Sequence, residues 1–429
     1  MTTPALLTDH YELTMVEAAR RSGAADRRCV FEVFARSLPG RRRYGVLAGV
    51  GRLLELLPQM RFDPDALDFL ASSGVVDAAT CEWLASYKFA GSIDGYAEGE
   101  TYFPHSPVLV VEGSFAECTV LETLILSVLN HDSAVATAAA RMVCAAGDRP
   151  CIEMGSRRTH EEAAVASARA AFLAGFAATS NLAAGSRYGI PTAGTAAHAF
   201  TLLHDEEREA FAAQVDALGD DTTLLVDTYD VERGIRTAVE VAGPSLGAIR
   251  LDSGDLPSQA RAARALLDEL GATNTRIVVT SDLDESSIAG LAAAPVDGYG
   301  VGTSLVTGSG VPTAGFVYKM VARCDGDDRL VAVQKKSTGK GSIGGRKWPA
   351  RVLRNGVATG ERVYVDHQPA PRDDERPLLT AYVRSGKVLE VPSLVEAREH
   401  CRRSRAELPD EAMKLSAGDP ALDVDYVRA

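Results

Sequence analysis

The middle of this chain has a rhythm that restricts its fold more than any other feature. Short apolar runs recur, each closing on small or polar residues. They are Cys151-Ile152-Glu153-Met154-Gly155, Gly189-Ile190-Pro191-Thr192-Ala193-Gly194, Leu224-Leu225-Val226-Asp227-Thr228, Ala248-Ile249-Arg250-Leu251-Asp252, Ile277-Val278-Val279-Thr280-Ser281-Asp282 and Gly298-Tyr299-Gly300-Val301-Gly302. Helical patterning fills the gaps, over Glu161 to Ala184, Asp205 to Leu218 and Pro257 to Gly271. Strands alternating with helices read as βαβ units and a parallel sheet. So many units in series predict an α/β fold built on a TIM-like barrel, whose functional groups gather at the C-terminal strand ends. Glu153, Asp227, Asp230, Asp252, Asp255 and Asp282 all fall at such ends.

The flanks are patterned differently. Cys29 to Ala35 alternates like a strand with one wet face, and Ile93 to Glu98 and Val108 to Val111 read as further strands. Beyond Lys319 comes a Gly-rich basic run, Lys335 to Lys347, open to either phosphate binding or plain solvation, and then a charged, partly helical end with Ser393 as N-cap. The expected organisation is an N-terminal α/β domain over 1–115, a barrel over 116–320, and a region over 321–429 that packs back on the first.

Charge narrows the partners. The 45 basic and 58 acidic residues give a net charge of -13, which argues against a nucleic-acid or membrane-surface partner. A local arginine cluster could still hold an anionic small molecule. The seven cysteines form no close CxxC pair, so a zinc site is not expected and a reducing compartment suits them. There is no basic segment followed by an apolar run at the start, and the alanine-rich stretches are broken by charge. The expectation is a cytoplasmic enzyme without a signal peptide or a membrane span.

Five segments could carry chemistry. In Arg250-Leu251-Asp252-Ser253-Gly254-Asp255, alternation aims Arg250 and Asp252 to one side, and Gly254 lets backbone approach a ligand. Carboxylates three apart suit Mg²⁺ or sugar hydroxyls, though a helix cap with a surface salt bridge would use the same residues. Asp227-Thr228-Tyr229-Asp230 and Thr280-Ser281-Asp282 add acids to the same mouth, where crowding costs stability unless something is bound. Gly300, Gly302 and Thr303 form a turn suited to a phosphate, or simply a tight turn. Gly194-Thr195-Ala196-Ala197-His198 brings a histidine near a strand end. Arg157 and Arg158, paired at a strand end, suit a carboxylate or phosphate, and the helix start that follows them, with Thr159 as N-cap and Glu162 as box partner, is compatible with that.

Read together, and with Thr8-Asp9-His10-Tyr11-Glu12-Leu13-Thr14-Met15, these segments resemble the nicotinate phosphoribosyltransferase family from about Thr8 to Lys319. The resemblance implies a type II phosphoribosyltransferase with an irregular α/β barrel, acting as a homodimer with shared active sites. Its reaction joins nicotinate to phosphoribosyl pyrophosphate, with ATP as co-substrate and Mg²⁺. It implies that Tyr11 stacks on the pyridine ring from the partner subunit. Thr195 and Arg250 contact nicotinate, Arg157 lies near the ring and pyrophosphate, and His198 is phosphorylated. It gives Asp252, Ser253, Gly254, Asp282, Gly300, Gly302 and Thr303 to phosphoribosyl pyrophosphate, and catalysis to His198, Asp252 and Arg250. Asp227 and Asp255 are the expected metal ligands. Met154 stands where the family has an aromatic residue. Nicotinamide phosphoribosyltransferase and a phosphosugar-binding barrel lyase or isomerase are the competing readings. The missing acid at Ala196 weighs against the first, and the lack of lysine at the six strand ends against the second.

Overall fold

A computed structural model describes residues 3–335 and 343–428. The chain divides into two compact units: residues 1–137 with 311–429, and residues 138–310 against the expected barrel span of 116–320.

The first unit is built on a seven-stranded antiparallel sheet. Its order is Leu330–Ala332, Phe316–Cys324, Arg28–Ala35, Leu109–Ser114, Ser92–Tyr96, Leu379–Arg384, Lys387–Val388. The strand read over Cys29 to Ala35 is buried along nearly its whole length rather than wet on one face, because it lies mid-sheet. A four-stranded sheet (Glu375–Pro377, Lys347–Arg354, Val357–Val365, Val424–Arg428) belongs to the same unit. Ser393 caps the helix Leu394–Ala406 through a capping box with Glu396.

Buried charge ties this unit together. Arg351 is fully buried and donates to Thr101 O at 2.8 Å, Thr101 Oγ1 at 3.1 Å and Glu361 Oε1 at 2.9 Å. Glu100 faces Arg376 and His400; burial alone would raise its pKa, but these partners and Arg351 hold it below the usual range. The basic run ends in the same kind of contact. Lys347 is buried against Glu32 at 2.6 Å, and Arg346 pairs with Asp94 at 2.8 Å. Lys347 is therefore not a solvated cation. Residues 336–342 of that run lie outside the described residues.

The second unit carries the predicted βα alternation. Its strands are β1 (Cys151–Glu153), β2 (Ala178–Thr179), β3 (Thr223–Leu225), β4 (Ala248–Leu251), β5 (Arg276–Val279) and β6 (Gly298–Val301). All pair in parallel, in the order β2-β1-β6-β5-β4-β3. The first strand thus pairs with the last, as in a barrel. The ring is open between β2 and β3, which no ladder joins among the described residues.

Two readings change at that seam. The helix expected over Glu161 to Ala184 is two, α1 (Glu161–Ala174) and α2 (Leu182–Tyr188), because Gly175 at φ 124° ends the first and β2 intervenes. The strand expected at Gly189 to Gly194 shrinks to one bridge, Thr179 to Thr192. Gly189 caps α2 in the left-handed region, and Pro191 has no N–H to give a ladder.

The remaining helices are α3 (His198–Leu202), α4 (Glu207–Leu218), α5 (Val231–Ala242), α6 (Leu256–Glu269), α7 (Glu285–Gly290) and α8 (Thr303–Val306). Among the described residues, no helix is long and apolar enough to cross a membrane. Removing one partner of a buried ion pair leaves an uncompensated charge, at a cost of about 3–5 kcal/mol. Arg351→Met should therefore lower the urea midpoint of unfolding sharply, and adding Glu361→Gln should recover part of the loss.

Candidate active site

A cavity of about 300 Å³ opens at the C-terminal ends of four adjacent strands of the second unit. The turn after β1 supplies Met154, Arg157 and Arg158. β4 supplies Arg250 and, just past its end, Asp252. The end of β5 gives Thr280, Ser281 and Asp282, and β6 gives Gly300, with Gly302 and Thr303 following. Three arginines against two aspartates make the wall locally cationic in an acidic chain.

The β1 turn is held from beneath by Glu153. This carboxyl is fully buried and accepts hydrogen bonds from the Gly155 N–H and the Thr179 hydroxyl, joining the ends of β1 and β2. Burial raises its pKa. It is a support under the cavity, and its sequence gave no sign of this because Thr179 is remote in the chain. His160, not Thr159, caps α1, its Nδ1 accepting the Glu162 N–H at 3.3 Å, since the turn runs one residue further.

Gly300 is needed for packing. A Cβ there would lie 2.5 Å from Thr280 Cγ2 and 2.7 Å from Met154 Sδ. The Met154 thioether therefore sits directly over β6.

Arg250 donates to Thr195 Oγ1 at 3.1 Å, while its buried Nε has no partner. Burial depresses its pKa and Arg157 adds to that, while Asp252 and Asp227 oppose it. A desolvated guanidinium bonded to a neutral hydroxyl favours an incoming anion.

Asp227 links β3 to β4. Its side chain is 2% exposed. Oδ2 accepts the Asp252 N–H at 2.8 Å and the Ser253 hydroxyl at 2.9 Å. Oδ1 has no hydrogen-bond partner and lies 4.0 Å from His198 Nε2. His198 Nε2 is also 3.9 Å from Asp252 Oδ2, and its Nδ1 is 3.1 Å from Thr228 Oγ1. The Thr280 hydroxyl donates to the other Asp252 oxygen.

Other expected site residues lie elsewhere. Ser253 and Gly254 shape the turn behind Asp252, with Gly254 at φ 86°. Asp255 is exposed at the N-cap position of α6, away from the cavity wall. Asp230 caps α5, accepting the Arg233 N–H at 2.8 Å, so the capping alternative describes it. Tyr11 belongs to the first unit, half-exposed on the helix His10–Arg21. Arg158, Thr280 and Ser281, which the sequence placed in candidate segments without giving them a role, join the wall.

The family model for the nicotinate phosphoribosyltransferase (NAPRTase) N-terminal domain matches residues 6–130. Nicotinate phosphoribosyltransferase pncB1 of Mycobacterium tuberculosis is 59% identical, over 99% of this chain and 95% of its own length. The chain belongs to the nicotinate phosphoribosyltransferase family. A Bacillus subtilis member is 37% identical over 84% of this chain and 75% of its own. The crystal structure of human nicotinic acid phosphoribosyltransferase superposes with a TM-score of 0.82 at 27% identity, covering 99% of this chain and 97% of that one. Family activity should therefore depend on the β6 packing. Gly300→Ala should displace Met154 and lower kcat/KM on the order of tenfold or more, with an unchanged circular dichroism spectrum.

Proposed function

We propose that the cavity at the ends of β1, β6, β5 and β4 joins nicotinate to phosphoribosyl pyrophosphate, giving nicotinate mononucleotide and pyrophosphate in NAD salvage. The observation that supports this most is the convergence of Arg157, Arg158 and Arg250 with Asp252 and Asp282 on one cavity. The substrates bring a carboxylate, a phosphate and a pyrophosphate, which match the cations. The ribose matches the acids.

The ring nitrogen attacks C1 of ribose as the C1–oxygen bond to pyrophosphate breaks. No protein nucleophile is required. Positive charge grows on the sugar and negative charge on the leaving group. Asp252 and Asp282 are suited to the first and Arg157 and Arg158 to the second, acting on charge where it forms. Arg250, with Thr195 at its side, takes the nicotinate carboxylate. Met154 meets the ring through its thioether. Gly300, Gly302 and Thr303 receive the sugar phosphate, and Ser253 and Gly254 keep Asp252 in place. Tyr11 closes on the ring from the partner subunit of a homodimer.

Mg²⁺ suits the hard carboxylate oxygens of Asp252 and Asp282 and the unpartnered oxygen of Asp227. Asp255, exposed beyond the wall, fits it less well. Held by these residues, the ion would supply positive charge against the departing pyrophosphate. No group of three or more His, Cys, Asp or Glu among the described residues is arranged as a metal cage.

ATP enters through His198. Asp227 and Asp252 flank its Nε2 and Thr228 meets its Nδ1, so the imidazole is oriented for phosphorylation. Phosphorylation favours a tighter-binding state. His198→Ala should lose ATP hydrolysis and keep ATP-independent transfer; equal loss of both contradicts this role. Pyrophosphate release should be fastest with nicotinate and ATP, and slow with nicotinamide or quinolinate. A preference for nicotinamide overturns the assignment.

A further inference from the structure

We propose that Glu12 is a positioning residue for Tyr11: its buried carboxyl bolts the helix His10–Arg21 to the start of the helix Glu122–Ala146 and so fixes how the Tyr11 ring is presented.

Glu12 is fully buried, whereas Tyr11 beside it is 46% exposed. Three neutral donors meet the carboxyl. The Thr123 N–H reaches Oε1 at 2.9 Å and the Thr123 hydroxyl reaches the same oxygen at 2.5 Å. The Thr8 hydroxyl donates to Oε2. Thr8 precedes the helix and Thr123 is on the other one, so the contact fixes both the entry of the chain and its rotation. Leu13 and Val16 are buried on the same helix, and a leucine at position 12 would add to that core without a desolvated carboxyl. Burial pushes Glu12 up to about 7, which marks how costly this choice is.

What the carboxyl provides and leucine does not is a fixed direction. Successive helical residues are about 100° apart, so locking residue 12 determines where residue 11 points. Burial raises the pKa of the Tyr11 phenol, and the charge of Glu122 adds to that.

The inference rests on Tyr11 being the ring contact, and steady-state kinetics separate the two. Glu12→Ala should raise the nicotinate KM by about tenfold, with a smaller change in kcat and an unchanged KM for phosphoribosyl pyrophosphate. Glu12→Gln, which can still accept from Thr123 and bond Thr8, should restore the KM. Thr8→Ala removes one donor and should give a smaller rise of the same kind, which keeps the test open if Glu12→Ala fails to fold. In a Tyr11→Ala background, Glu12→Ala should add nothing further. If Tyr11→Ala leaves the nicotinate KM unchanged, the ring reading falls, and this inference with it. If Tyr11→Ala raises it while Glu12→Ala and Thr8→Ala do not, only the positioning role is overturned.

Discussion

The site depends on one buried carboxylate. Asp227 ends β3 and reaches across to the end of β4, where one of its oxygens holds both the backbone and the side chain of the following turn. That contact sets Asp252 in the cavity wall, and it leaves the second Asp227 oxygen facing His198. A buried oxygen with no donor is unfavourable by about 1–3 kcal/mol, and a cation or a donor beside it would offset that cost. Strand spacing brings the two ends close; the carboxylate fixes their relative orientation.

The arginines show the same contrast between completed and waiting contacts. In the first unit Arg351, Arg376 and Arg346 are matched by Glu361, Glu100 and Asp94, and they act as struts. In the cavity, Arg250 is desolvated and donates to a neutral hydroxyl, that of Thr195, where the struts meet carboxylates. A guanidinium held in this way is oriented before a ligand enters, and less side-chain entropy is lost on binding. An acidic chain can in this way carry a site for anions: its acids neutralise structural cations and leave the cavity cations available.

The strand ends were legible in the sequence because apolar runs that finish in polar residues have few other solutions in a βα alternation. Arg250, Asp252, Asp282, Gly300 and Thr303 were found on that basis and share one cavity. Contacts between distant segments were not legible. Glu153 looked like another mouth acid, yet Thr179 and the Gly155 amide hold it in the core. Ser281 sits at φ 121°, a backbone state that a serine does not announce. The break at Gly175 was hidden inside an alanine-rich run, where composition favours helix on both sides. Lys347 and Arg346 read as part of a basic loop because Glu32 and Asp94 are some 250 or more residues away in sequence.

Charge recognition at Arg250 is the central claim, and a selectivity ratio tests it most directly. The measurement is kcat/KM for nicotinate relative to nicotinamide in the unaltered chain and in Arg250→Met. Loss of a charge-assisted, bidentate contact should reduce nicotinate use by on the order of a hundredfold while leaving the low nicotinamide rate nearly unchanged. The ratio should therefore collapse. A ratio that survives the substitution, with both substrates weakened equally, would show that Arg250 supports the cavity without reading the carboxylate.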